Sequence, residues 1–206
     1  MNRDLTMRQT RSLPCEFQTR EDNGEMVIEG YFAVFNSDYE IAPGLSESIA
    51  PGAFASSMGR DVRALVNHDT TLVLGRTAVA HTLKLREDSH GLYGRIVINP
   101  KDSAAVDAYE RVKRGDVSQC SIGFDVTNEE IEFRDDGSVH WTIKDVELWE
   151  VTVCTFPAYE ATNISARERQ RDEAVKRRLD ARRAKALAKL KGEDHGTEGP
   201  DAQEED

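Results

Sequence analysis

The sequence has little cysteine, no long apolar run and no surplus of positive charge, and each shortage excludes something. Cys15, Cys120 and Cys154 make an odd number without metal-type spacing, which argues against a disulfide framework and for buried free thiols in a reducing compartment. No stretch is long enough to cross a bilayer and the N-terminus lacks an apolar run, so no signal peptide or membrane partner is expected and the chain reads as soluble and cytoplasmic. The 27 Lys and Arg are outnumbered by 38 Asp and Glu, a net charge of −11, which makes nucleic acid an unlikely main partner. There is no Gly-x-Ser-x-Gly elbow and no lipase-type His-Gly-Gly-Gly loop, which disfavours an esterase or amidase of small molecules. There is no His-Glu-x-x-His, and His81, His90, His140 and His195 show no pairing at helix spacing, so no metal and no cofactor is expected. Internal repeats are absent.

What is present is one domain of ordinary size plus an appendage, in 206 residues. Residues 1–12 are polar and read as a flexible terminus. Residues 13–165 read as mainly β with helices. Glu25 to Phe35 is a dense apolar run with Gly30 as a bulge or bend. Pro51 to Phe54 begins a short helical turn, and Val62 to Val66 is a strand leading into His68. Thr82–Leu85 and Leu92–Ile98 form a hairpin across a polar turn. Asp102 or Ser103 caps a helix running to about Arg114, which Gly115 ends. Val117–Val126 is a strand; Asp135-Asp136-Gly137 is a hairpin turn; Val139 to Cys154 is a long strand stopped by Pro157. Residues 166–192, without Pro and rich in Ala, Arg, Lys and Leu, read as a charged helix, and 193–206 as a disordered acidic tail.

Three short segments carry chemistry: Val66-Asn67-His68-Asp69, Ser118 to Phe124, and Leu148-Trp149-Glu150-Val151. They supply a histidine, a serine and a carboxylate, the parts of a serine hydrolase: base, nucleophile and a group that orients the base. Period-2 alternation puts Cys120, Ile122, Phe124 and Val126 on one strand face and Gln119, Ser121, Gly123 and Asp125 on the other. The first set is core; the second is small and polar, with Gly123 leaving room for a substrate backbone. The same alternation turns the Cys120 thiol into the core, where it is inert. In the last strand it groups Glu150 with Val146, Leu148 and Cys154, against Trp149, Val151 and Val153. A carboxylate among apolar neighbours needs a partner, either His68 or an arginine such as Arg63 or Arg76. Asp145 and Glu147 are rival third members.

Taken together, these segments resemble the phage prohead proteases of the HK97 type. The resemblance covers most of residues 13–165. It runs through Glu29 to Asn36, Ile49 to Phe54, Asn67-His68-Asp69 with Leu74-Gly75-Arg76, Asp88 to Leu92, Arg114 to Phe124, and Glu150-Val151-Thr152 before Pro157-Ala158.

The resemblance implies a herpesvirus-protease-like β-barrel with flanking helices. It implies Ser121 as nucleophile and His68 as base; Glu150 takes the place where herpesvirus enzymes use a second histidine. It implies a maturation protease inside the assembling prohead in the bacterial host cytoplasm. The substrates would be the major capsid protein or a separate scaffold protein, and the chain itself, cut in its first dozen residues or after Ala161. A homodimer is allowed by the resemblance to herpesvirus enzymes. Backbone N–H groups near Gly75-Arg76 or Gly123 are the candidate oxyanion donors. The rival class is a catalytically silent assembly or scaffolding factor that docks inside a shell through its basic helix.

Overall fold

The computed structural model describes residues 9–14, 17–22, 24–156 and 161–193. The chain divides into two units, one ending at Asn163 and one beginning at Ile164. Among the described residues the first is mainly β with one α-helix and a short 3-10 turn at Ala55–Ser57, and with the long helix of the second the fold class is α+β.

The described residues of the first unit form eleven strands: β1 (Gln9–Pro14), β2 (Gln18–Asp22), β3 (Glu25–Val34), β4 (Tyr39–Ala42), β5 (Leu45–Ile49), β6 (Arg63–Val66), β7 (Asp69–Arg76), β8 (Leu83–Glu87), β9 (Gly91–Val97), β10 (Gln119–Phe133) and β11 (Val139–Cys154). Between β9 and β10 lies helix α1 (Ser103–Arg114). Asp102 caps α1 by accepting from the N–H groups of Ala104 and Ala105, and Gly115 closes it at φ +87°, a conformation that costs glycine nothing. Its buried stripe is Ala105, Ala108, Tyr109 and Val112.

β11 organises the larger sheet. β10 runs antiparallel along its whole length. On its other edge β5 pairs in parallel with Val139–Ile143, and β6 pairs in parallel with Glu150–Val153. β4 continues from β5, β7 from β6, and β1 from the outer edge of β10. β2, β3, β9 and β8, in that order, make a second sheet. The described strands thus lie in two sheets and close no barrel, a departure from the expected herpesvirus-type barrel. One edge of β11 is shared out between two partners, so the sheet forks rather than returning on itself.

The core lies on the inner faces of these sheets, with Ile28, Phe32, Leu92 and Ile96 from one and Ile122, Phe124, Leu148, Val151 and Val153 from the other, packed with α1. Where strands exceed the expected bounds, pairing outweighs propensity. Thr127–Phe133 is rich in Glu, yet it extends β10 because Val139–Asp145 offers a ladder. Residues 9–12, expected to be frayed, are part of β1, because the free edge of β10 supplies main-chain partners whatever the side chains. The bulge in β3 falls at Phe32, between Tyr31 and Ala33, rather than at Gly30, which pairs regularly with Gly94.

Helix α2 (Ala161–Glu193) supplies the second unit from Ile164 onward; among its described side chains none forms an apolar face, and Val175, Leu179 and Leu187 are exposed. The acidic tail read from the sequence at 193–206 lies outside the described residues beyond Glu193, and so does Cys15.

Candidate active site

His68 stands at the tip of a two-residue hairpin. β6 ends at Val66 and β7 begins at Asp69, with Val66 and Asp69 paired across the turn. Both central residues have positive φ, +50° for Asn67 and +59° for His68. A tight turn of this kind matches the twist of the flanking strands but demands left-handed backbone at both positions. Asparagine and histidine are among the few residues other than glycine that adopt this conformation with any frequency, so both fit the turn.

The tip is tied by four contacts, three to β11 and one to Thr155 just past its end. Asn67 N–H donates to the Val153 carbonyl at 3.0 Å. His68 N–H donates to Thr152 Oγ1 at 3.1 Å. Thr155 N–H donates to Asn67 Oδ1 at 3.0 Å. His68 Nδ1 lies 2.6 Å from Glu150 Oε1, and the Glu150 side chain is only 6% exposed.

Glu150 reaches this place because alternation in β11 breaks. Gly123 pairs with Glu150, but Phe124 pairs with Leu148, leaving Trp149 as the extra residue of a bulge. Before the bulge Val146 and Leu148 face the core; after it Val151 and Val153 do. The expected grouping of Glu150 with Val146 and Leu148 is therefore wrong. Glu150 shares its face with Thr152, and across the ladder with Gly123 and Ser121, while Trp149 turns out to donate from Nε1 to Asp125 Oδ2 at 2.9 Å. Gly123 makes the space: a Cβ there would lie 2.4 Å from Glu150 Oε1. The room expected for a substrate backbone holds the Glu150 carboxylate.

Ser121 pairs with Thr152 in β11 and with Ser12 in β1. Its side chain is fully buried. Ser121 Oγ, His68 Nε2 and Glu150 Oε2 are all buried and make no hydrogen bond among the described residues. His68 and Glu150 are thus in direct contact, and Ser121 lies beside them across one strand pairing.

The rival residues are placed elsewhere. Asp145 accepts from Ser56 Oγ at 2.7 Å and from Thr127 Oγ1 at 2.5 Å. Glu147 is paired with Arg60. Arg63 and Arg76 both engage Asp61, so neither neutralises Glu150. The hydrogen bond from Arg76 holds the Asp61 carboxyl below the usual carboxylate range. Cys120 is buried with its Sγ 3.3 Å from the Tyr31 carbonyl, turned into the core. The Arg76 N–H donates to Thr82 Oγ1 at 3.1 Å, and Gly75-Arg76 lies on β7, three strands from Ser121.

Two features escaped the sequence reading. Thr152 was visible only as part of the Glu150-Val151-Thr152 string, and its contact with His68 depends on the parallel pairing of β6 with β11. His140, 5% exposed, is held between Ser46 Oγ at 2.8 Å and Ser48 Oγ at 2.9 Å. That contact depends on the β5–β11 register, which no local spacing reveals.

Residues 14–177 match the family described as caudovirus prohead serine protease. The prohead protease of Enterobacteria phage HK97 is 33% identical over 158 residues, which is 73% of this chain and 64% of that protein, so the match spans less than two thirds of the relative's length. Among solved structures, the bacteriophage T4 capsid assembly protease matches with a TM-score of 0.43 and 11% identity, covering 71% of this chain and 98% of that one. By the family match over most of its length, this chain belongs to the caudovirus prohead serine proteases.

Proposed function

We propose that the chain is a serine endopeptidase of phage capsid maturation, with Ser121, His68 and Glu150 as its catalytic residues. The observation that carries this is the 2.6 Å contact of His68 Nδ1 with a buried Glu150, on the strand face that also bears Ser121. A buried carboxylate on one imidazole nitrogen fixes the tautomer and stabilises the imidazolium that forms when the other nitrogen takes a proton.

In the proposed reaction His68 Nε2 accepts the Ser121 hydroxyl proton as Oγ attacks the scissile carbonyl. The tetrahedral intermediate collapses to an acyl-enzyme as the same proton passes to the leaving amine. Water, deprotonated by His68, then attacks the acyl carbon, and the proton passes from His68 to Ser121 Oγ as the ester bond breaks and the acid leaves. Charge builds on the carbonyl oxygen; the Arg76 amide is engaged by Thr82, and the candidate donors around Gly123 stand where the β10–β11 register shifts between Gly123 and Phe124. Loss of one such donor costs about 10²–10³ in rate. The Ser121–His68 hydrogen bond is open here, and such bonds commonly tighten when substrate is bound.

The HK97 relative is named a prohead protease. By that likeness the substrates are the scaffold segment of the major capsid protein, or a separate scaffold, and the chain itself, inside the prohead in the host cytoplasm. Pairing of β1 with β10, where Ser12 lies opposite Ser121, supports self-cleavage near the N-terminus: an extended segment of this chain runs beside the nucleophile.

The test is co-expression with the cognate capsid protein, wild type beside Ser121→Ala, read by intact mass. Shortening of the capsid protein at one defined bond, with wild type only, is the expected result. Full-length capsid protein in both, with the folded protease incorporated in shells, would replace this reading with that of a silent assembly factor.

A further inference from the structure

We infer that Thr152 is the positioning residue of the general base: its hydroxyl oxygen, on the residue paired with Ser121, takes the His68 backbone N–H and sets where the imidazole stands. This rests on the endopeptidase reading above and adds a residue to it.

The argument begins with cost. Thr152 is wholly buried, in a strand whose neighbours Val151 and Val153 are also wholly buried. Valine has nearly the same shape and would leave no hydroxyl to satisfy, so a threonine here is unfavourable unless its oxygen is used. Its contact with its neighbour's carbonyl, Val153 O, is long at 3.5 Å. The well-formed bond is the one it accepts from His68 N–H at 3.1 Å. A β-branched side chain is stiff about χ1, so the oxygen is a fixed post rather than a mobile one.

The second strand of argument is geometric. The central amides of a two-residue hairpin tip ordinarily face solvent, and the tip moves with it. Here Asn67 N–H is taken by Val153 O and His68 N–H by Thr152 Oγ1, both on β11. β11 is anchored at that level by β10 on one side and β6 on the other. Thr152 therefore couples three catalytic positions. It pairs with Ser121, lies two residues from Glu150 on the same face, and holds the backbone of His68. Without its oxygen, Glu150 still holds Nδ1 and Asn67 stays tied to Val153 and Thr155, but the His68 backbone loses its own tether and can turn, carrying Nε2 away from Ser121. A misplacement of about 1 Å in such a constellation costs on the order of 10²-fold in rate.

The experiment compares Thr152→Val and Thr152→Ser on two readouts. The first is peptide cleavage as kcat and KM separately across pH. The second is the far-downfield Nδ1–H proton resonance of His68, recorded in the uncleavable Ser121→Ala background. Thr152→Val is expected to lower kcat by roughly 10- to 100-fold with KM little changed, to shift the acid limb of the pH profile, and to move or broaden the resonance. Thr152→Ser, which keeps the oxygen, is expected to stay near wild type on every readout. Wild-type kcat and resonance in Thr152→Val overturns the inference. So does a folded Thr152→Ser as impaired as Thr152→Val, since that assigns the effect to the methyl group. Should Thr152→Val not fold, Thr152→Ala beside Thr152→Ser decides the matter on the resonance alone, where equal behaviour overturns it. Absence of cleavage by wild type sinks the endopeptidase reading, while the resonance still decides whether Thr152 anchors His68.

Discussion

Glu150 and Gly123 form one device at the residue scale. The glycine exists where it does because the carboxylate lies over it, 2.4 Å from where a Cβ would be. Gly123→Ala must therefore push Glu150 off His68 Nδ1 or shift β10. Overpacking of this kind costs about 1–3 kcal/mol, and loss of the orienting contact lowers kcat further. The expected outcome is a reduced thermal midpoint together with a fall in kcat of at least tenfold, read by calorimetry and peptide cleavage on the same preparation. Unchanged activity would mean that Glu150 does not orient His68 in the working enzyme.

Glu150→Gln should lower kcat by about 10²–10⁴, since an amide cannot stabilise imidazolium and can impose the wrong tautomer. Asp145→Asn and Glu147→Gln should stay near wild type, because those carboxylates serve Ser56, Thr127 and Arg60 instead. Equal losses in all three would reopen the choice of third member. Local pattern exposed His68 and Ser121 because the strand ends and turn residues around them are distinctive. It could not choose Glu150 over its neighbours on firm ground, because the bulge at Trp149 reverses the alternation on which the argument leaned.

The hairpin of β6 and β7 is the element that delivers the base. Its tip is fastened to β11, and its foot is fastened by Asp61, which takes Arg76 from Nε at 2.7 Å and also engages Arg63. The depressed pKa of Asp61, due first to its hydrogen bond with Arg76, fixes the sign of the pH effect. A carboxylate bound more tightly in its ionised form stabilises the fold above its unfolded pKa of about 3.9. That contribution fades as pH falls through the lower folded value. Asp61→Asn should thus lower the urea midpoint at pH 7 and make no difference well below pH 3, about one unit under the unfolded value. A difference that persists in acid would show that shape rather than charge is at stake. The clamp joins residues fifteen apart through the hairpin, which only the pairing of β6 with β7 brings about.

At the scale of the whole molecule, the chain is two units of different character. The first holds the three residues proposed as catalytic and the core. The second contains a helix without an apolar face, built from strong helix formers and basic residues. Removing residues 164–206 should leave the midpoint of the first unit within about 2–4 °C of the full chain and leave peptide cleavage in vitro intact. If the basic helix docks the protease inside a shell, the same truncation should abolish its incorporation into proheads, counted by gel densitometry of purified particles. Loss of folding on truncation would contradict the division into units, and normal incorporation would remove docking from the helix.

The sequence by itself determined the catalytic serine and histidine as candidates, the family, the helix capped by Asp102 and ended by Gly115, and the extent of the long last strand. These rest on local chemistry: turn residues, caps, alternation and short strings of residue types. Tertiary structure alone decided the bulge by which Glu150, already chosen from the sequence, turns to His68, why Gly123 must be glycine, and that residues near the N-terminus become a strand beside Ser121. Each of those depends on which strands pair and in what register. Register is set by the packing of distant segments against one another, and one bulged residue is enough to turn a side chain from one face of a sheet to the other.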